Sequence, residues 1–189
     1  MAGFNLAWCR FQEVLDMRST RLFAAFLAGL FFSTTTMAFD QGVLGDVEFV
    51  SQPSDTLLTH GQPEPHELVL VQRAGGKHVI NLRGLDEFDD WDAGALVDAL
   101  GMNYYHLPIT DGQSLSRDRV ALFDRILGDI GDEPVLVYCG SSNRVGAMFA
   151  LRAAWLEGYS VDEAIELGRE HGLTGLEARV RELLENGHD

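Results

Sequence analysis

The sequence predicts an α/β fold: a short central, mainly parallel sheet with helices on both faces. Three observations carry that expectation. Short apolar runs rich in β-branched residues alternate with stretches of helical periodicity, the pattern of strand–helix–strand units. Proline, glycine and capping pairs mark where the helical stretches begin and end. The most apolar of the short runs, Pro134–Tyr138, leads straight into a polar loop and a further helix. With 189 residues, 46% of them hydrophobic, the chain has material for one domain with a proper core and is short for two. Neither an internal repeat nor a low-complexity segment interrupts it.

The first forty residues differ in kind from the rest. Arg18 and Arg21 precede an apolar run from Leu22 to Phe32, followed by Ser33, three threonines and Met37-Ala38. Basic, apolar and small-residue parts in that order are the layout of a secretory signal peptide, with cleavage expected after Ala38. The apolar run falls short of the ~20 residues that a permanent membrane helix needs; an uncleaved anchor is the alternative reading. The long segment ahead of the arginines leaves Met17 open as the start in place of Met1. Residues 1–38 are therefore set apart as a signal peptide, and residues 39–189 as the folded domain of an exported, periplasmic protein.

Along that domain, Asp40–Val50 reads as a loop or short strand and Thr56–Thr59 as another short strand, after which Gly61-Gln62-Pro63 turns the chain. Pro65–Arg73 reads as a helix, with proline at its start and Gly75-Gly76 as its stop. Val79–Leu82 is a buried strand by its β-branched apolar run. Trp91–Leu100 suits a helix ended by Gly101, and Tyr104–Ile109 the next strand, halted by Pro108. In Arg117–Ile130 the residues Val120, Leu122, Phe123, Ile126 and Leu127 fall at helical spacing. Pro134–Tyr138 is the clearest buried strand. Beyond the loop that follows it, Val145–Leu156 is helical, and the pairs Ser160/Glu163 and Thr174/Glu177 read as capping boxes opening helices at Val161 and Gly175. Ligands of such sheets bind beyond the carboxyl ends of the strands, where Cys139 falls.

Charge and cysteine content narrow the function. The formal charge is −15. The first 38 residues hold three arginines and two acids, so the remainder is one unit more acidic still. Such a surface repels nucleic acid and anionic membrane, which excludes both as partners. An anionic substrate meets the same field, so any anion site must create its own positive potential. Of the two cysteines, Cys9 leaves with the signal. Cys139 alone cannot form an internal disulfide, and outside the cytosol a free thiol is an oxidation liability. It must be either deeply buried or useful.

The segment that resolves this runs from Val135 to Ala147: an apolar strand, Cys139, the loop Gly140-Ser141-Ser142-Asn143, then Arg144 at the start of a helix. Successive amides in a tight turn form a nest for an anion. The helix N-terminus adds partial positive charge, and Arg144 a full one with a bidentate fork. Together they favour a thiolate, the form that attacks. An isolated strand-terminal cysteine is ordinarily a small buried hydrophobe; here cysteine, small polar loop, arginine and helix come in register.

These residues resemble a known family. Thr59-His60-Gly61-Gln62-Pro63, Val79-Ile80-Asn81-Leu82-Arg83, His106-Leu107-Pro108-Ile109, Cys139 to Ala147 and Gly168 to Thr174 are similar, in order and spacing, to the bacterial phosphatase-like domain also found fused to β-lactamase-like hydrolases. That domain is a relative of the dual-specificity and tyrosine phosphatases. The resemblance implies a three-layer cysteine-phosphatase-like fold over residues 39–189 and hydrolysis of a phosphate monoester through a cysteinyl-phosphate. It assigns Cys139 as nucleophile, and Gly140, Ser141, Ser142, Asn143 and Arg144 as the phosphate-binding set. Asp111, in the loop after the strand that precedes Val135–Tyr138, occupies the place of the general acid; a turn residue is the alternative for it.

The loop departs from the usual signature. It has four residues between cysteine and arginine instead of five, Tyr138 in place of the histidine, and Val145 in place of the hydroxyl residue after the arginine. The shorter length is that of rhodanese-type sulfurtransferases, so transfer of a sulfane sulfur on Cys139 stays open, as does a non-catalytic anion-binding module. Arg83 is a second candidate cation for the same mouth, with a capping or surface role as its alternative. The acidic run from Asp86 to Asp92 lacks calcium-loop spacing and reads as a solvated loop. The six histidines show no close metal-ligand pairing, so neither metal nor cofactor is expected. The partner expected is a small anionic substrate.

Overall fold

A computed structural model of the chain describes residues 38–45, 47, 51–87, 90–110 and 112–187. All of the expected signal peptide except Ala38 lies outside the described residues, as does Asp111.

Among the described residues, β1 (Ser51–Ser54), β2 (Leu57–His60), β3 (His78–Asn81), β4 (Asn103–His106) and β5 (Val135–Tyr138) form a sheet in the order β1-β2-β5-β3-β4. Only β1 runs antiparallel to its neighbour; β2, β5, β3 and β4 are mutually parallel. β5 is central and is apolar at every position because both its faces are covered. Its alternating side chains divide two cores. Val135, Val137 and Cys139 join a core built with α4 (Arg117–Ile130), α5 (Asn143–Leu156), α6 (Val161–Glu170) and α7 (Glu177–Glu185). Leu136 and Tyr138 join the opposite core, under α1 (Gln41–Leu44), α2 (Pro65–Arg73) and α3 (Ala93–Ala99). The expected α/β arrangement, a mainly parallel sheet with helices on both faces, is the one observed.

α2 and α4 occupy the expected residues. Differences elsewhere have local causes. The segment after Asp40 is a short helix, not a loop or strand, because the Asp40 carboxylate accepts from the Gly42 amide at 2.9 Å and caps it. The strand expected to reach Ile109 ends at His106, although Leu107 and Ile109 still donate to the Asn81 and Leu82 carbonyls across the sheet edge. Ser160 and Glu163 form their capping box. Thr174 and Glu177 do not: α7 starts only at Glu177, whose carboxylate is taken by Arg169 at 2.7 Å.

Candidate active site

β5 delivers Cys139 to the carboxyl edge of the sheet. The Cys139 amide donates to the His60 carbonyl at 3.4 Å, and Gln62 donates to the Gly140 carbonyl at 3.3 Å. The start of the loop is thereby laid along the end of β2, with Gly61 bridging Ser141. α5 begins two residues later, at Asn143.

The turn into α5 is made by Ser142, whose backbone is left-handed at φ 62°. That conformation costs an L-residue about 1–2 kcal/mol, and its surroundings compensate. Ser142 is fully buried and its hydroxyl donates to the His171 carbonyl at 3.2 Å. Asn143 reaches the same way, its Oδ1 accepting from the amides of Thr174 (2.9 Å) and Leu176 (3.2 Å). A Cβ on Gly172 would stand 2.6 Å from that of Ser142, and one on Gly146 2.1 Å from the Leu173 nitrogen. Glycine alone lets the segment 168–176 close on the loop as a brace. The side chains of Ser142 and Asn143 therefore serve the brace, and what these two residues retain for a ligand is backbone. The amides of Gly140, Ser141, Asn143 and Arg144 donate to no backbone carbonyl among the described residues, while that of Ser142 belongs to the antiparallel bridge of Ser141 with Gly61; the loop amides gather at the N-terminus of a fourteen-residue helix.

The front of the loop is ionic. Both terminal nitrogens of Arg144 donate to the Glu87 carboxylate, Nη2 to Oε2 at 2.8 Å, and Nη1 also donates to the Ile109 carbonyl at 2.8 Å. The buried Arg83 approaches the same carboxylate, Nε to Oε2 at 3.5 Å, and the Gly84 amide donates to it at 2.6 Å. The Arg144 hydrogen bonds, against the cost of burial, hold the Glu87 carboxyl down at about 2. The same bonds, with help from Cys139, raise Arg144 above its ordinary value.

This pattern decides what Arg144 has left to offer. A guanidinium has five N–H bonds in a fixed plane. Glu87 and Ile109 take both on Nη1 and one on Nη2, so Nε–H and the second Nη2 proton remain side by side as another fork. The loop wraps that edge: the Cβ position of Gly140 lies 3.1 Å from Nη2. Cys139 shares the guanidinium with Glu87, so sulfur, fork and loop amides converge. Cys139 has no exposed surface. Burial alone suits an inert thiol, but an inert thiol gives no reason to take a guanidinium out of water beside it.

Asp111 itself lies outside the described residues. Ile109 touches Arg144, Thr110 Oγ1 lies 2.6 Å from Ser114 Oγ, and Arg179 donates to the Gly112 carbonyl at 3.3 Å.

Residues 52–155 match the family described as beta-lactamase hydrolase-like protein, phosphatase-like domain. The chain belongs to that family. No curated protein matches the chain. Among solved structures, a candidate phosphatase from Shewanella putrefaciens CN-32 is 22% identical with a TM-score of 0.61, the match covering 78% of this chain and 98% of that one. A candidate phosphatase from Neisseria meningitidis Z2491 is 25% identical with a TM-score of 0.60, over 74% of this chain and 98% of that one. TpbA of P. aeruginosa, solved with pTyr, is 22% identical with a TM-score of 0.54, over 72% and 82%. The chain thus has the fold of the cysteine phosphatases.

Within this phosphatase-like domain, sequence reasoning placed Cys139 and Arg144 together and missed what fixes them. Glu87 reads in sequence as one acid of a solvated run, and only the fold carries it to Arg144. The one available signal was its spacing from Arg83, four residues on from a strand end that already pointed at the mouth. Arg83 itself is a buried partner of Glu87, not a surface residue.

Proposed function

We propose that the domain hydrolyses a phosphate monoester through a cysteinyl-phosphate. The observation that carries the reading is the Arg144 edge that Glu87 and Ile109 leave turned toward Cys139, sharing one loop with that sulfur and with the amides that open α5. Three phosphoryl oxygens ask for such a set: a planar fork for two, and amides for the remainder. The Cys139 sulfur attacks phosphorus, forming the S–P bond as the P–O bond to the alcohol breaks. Asp111 gives its proton to the departing alkoxide and then takes one from water. That water attacks phosphorus, the S–P bond breaks, and inorganic phosphate leaves with the thiolate restored. Because the sulfur is buried, the substrate must enter between the loop and the Glu87 segment, and this protects the thiol from oxidants in the exported protein proposed here.

The test is hydrolysis of an aryl phosphate by residues 39–189, kept reduced, beside Cys139→Ser and Asp111→Asn. Phosphate release should vanish in the first and fall at least 100-fold in the second, about the worth of a general acid. A parallel incubation with thiosulfate and cyanide must stay free of thiocyanate. Thiocyanate without phosphate would overturn the reading in favour of sulfur transfer.

A further inference from the structure

Beside the anion loop, with Arg83 and Glu87 as the partition, lies an open cleft of about 520 Å³ between the ends of β3 and β4 and the chain leading into α3. The reaction above makes no use of it. Three rings line it: Trp91, Tyr104 and the imidazole of His106, which lies beside Tyr104. Tyr104 is pinned by the Asn81 amide, which donates to its hydroxyl at 2.8 Å, and its ring lies against Gly94, where a Cβ would stand at 3.2 Å. Asp90 and Asp92, both exposed, add two carboxylates to the same cleft. One oxygen of Asp92 caps α3 through the Ala95 amide at 3.0 Å, and the other has no hydrogen-bond partner among the described residues.

Charge is ordered along the site. Arg144 supplies the positive end at the loop. Arg83 and Glu87 face each other in the middle. Asp90 and Asp92 make the far end negative. A second phosphate in the cleft would meet two carboxylates, and a plain hydrocarbon would desolvate them without return. A cation gains from both the carboxylates and the aromatic faces, tryptophan above all. The strongly acidic chain as a whole also favours a substrate whose phosphate is balanced by a positive group.

We infer that this cleft receives the leaving alcohol of the substrate and that this alcohol carries an ammonium group. The inference rests on the phosphomonoester reading, and its test separates the two. Choline phosphate is compared with its neutral isostere, in which a quaternary carbon replaces the nitrogen. The cationic ester should be preferred in kcat/KM by about tenfold, or ~1.4 kcal/mol. The preference should fall to near parity in the double variant Asp90→Asn/Asp92→Asn, whose amides keep size and helix cap. An isostere turned over as well as the cation overturns the inference, as does turnover of an aryl phosphate alone.

Binding is read without turnover by titrating tetramethylammonium into Cys139→Ser and following tryptophan emission, with Trp91→Phe identifying the reporting ring. A saturable change weakened by the double variant supports the cleft; no change, or one the double variant leaves intact, overturns it. If no ester at all is hydrolysed, the proposed reaction falls and this titration alone decides the cleft.

Discussion

The loop around Cys139 has two supports of opposite character. Behind it, Ser142, Asn143 and Gly146 lock against residues 168–176 through backbone contacts and neutral hydrogen bonds, and the interface is largely buried. In front, Arg144, Glu87 and Arg83 form a partly exposed ionic chain. The difference reflects two tasks. Amide donors must stand at fixed coordinates, so they are held by parts that cannot move without collision. The arginine must be aimed yet still exchange partners with an anion, so it is held by an ion pair whose net worth near water is modest. The back sets position and the front sets charge.

The largest expected effect breaks the back. In Gly146→Ala the new methyl would lie 2.1 Å from the Leu173 nitrogen and 2.4 Å from the Gly168 carbonyl oxygen, both backbone atoms. Neither can rotate aside, so the helix and brace must part. A loss of ~3 kcal/mol or more is expected in urea unfolding, the upper range for overpacking. A loss below about 1 kcal/mol would mean that the brace yields and is not the rigid support claimed here.

The front should respond in the other way. Glu87→Gln removes the charge between two guanidiniums and puts an amide donor against one of them. Stability should change by no more than ~1 kcal/mol, because the Glu87 side chain keeps 29% of its surface in water and screens the pair. Affinity for inorganic phosphate should fall by about tenfold, as Arg144 loses the partner that leaves its second fork toward Cys139. Calorimetry on Cys139→Ser reads this directly. Tighter phosphate binding in Glu87→Gln would reverse the assignment and make Glu87 a competitor for the fork.

This contrast also explains how much could be read from sequence. The parallel strands β2, β3 and β5, with α2, α4 and the Cys139–Arg144 loop, are written in runs of neighbouring residues, where periodicity and caps act; the polar edge strand β1 carries no such run. α4, for example, spans Arg117–Ile130, the stretch that its apolar spacing marks. The two supports are not local. Glu87 lies 57 residues from Arg144, and Asn143 lies 31 from Thr174; no spacing rule links them. Thr174 and Glu177 even gave a false local signal. Their capping-box pattern is genuine, but Asn143 and Arg169 outbid it from across the fold.

The smallest effect sharpens the comparison, because acid should weaken the neutral support before the ionic one. Burial pushes His171 below its ordinary 6.5, against the Leu167 carbonyl and Glu170, which pull it up. The unfolded chain therefore takes up this proton first, so the contribution of a neutral His171 is complete above pH 6.5 and is lost as pH falls below that. Glu87 is depressed from 4.5 to about 2, so its contribution is complete above pH 4.5 and is lost only between there and about 2. Between pH 7 and 5, then, the back loosens while the front stays intact, since the His171 carbonyl is what holds the Ser142 hydroxyl. His171→Gln cannot take up the proton, so the stability gap between wild type and variant should narrow across that interval by a fraction of a kcal/mol up to ~1 kcal/mol. Glu87→Gln should run parallel to wild type over the same interval and converge on it only below pH 4.5. Parallel curves for His171→Gln would show that the back is as indifferent to acid as its lack of formal charge suggests.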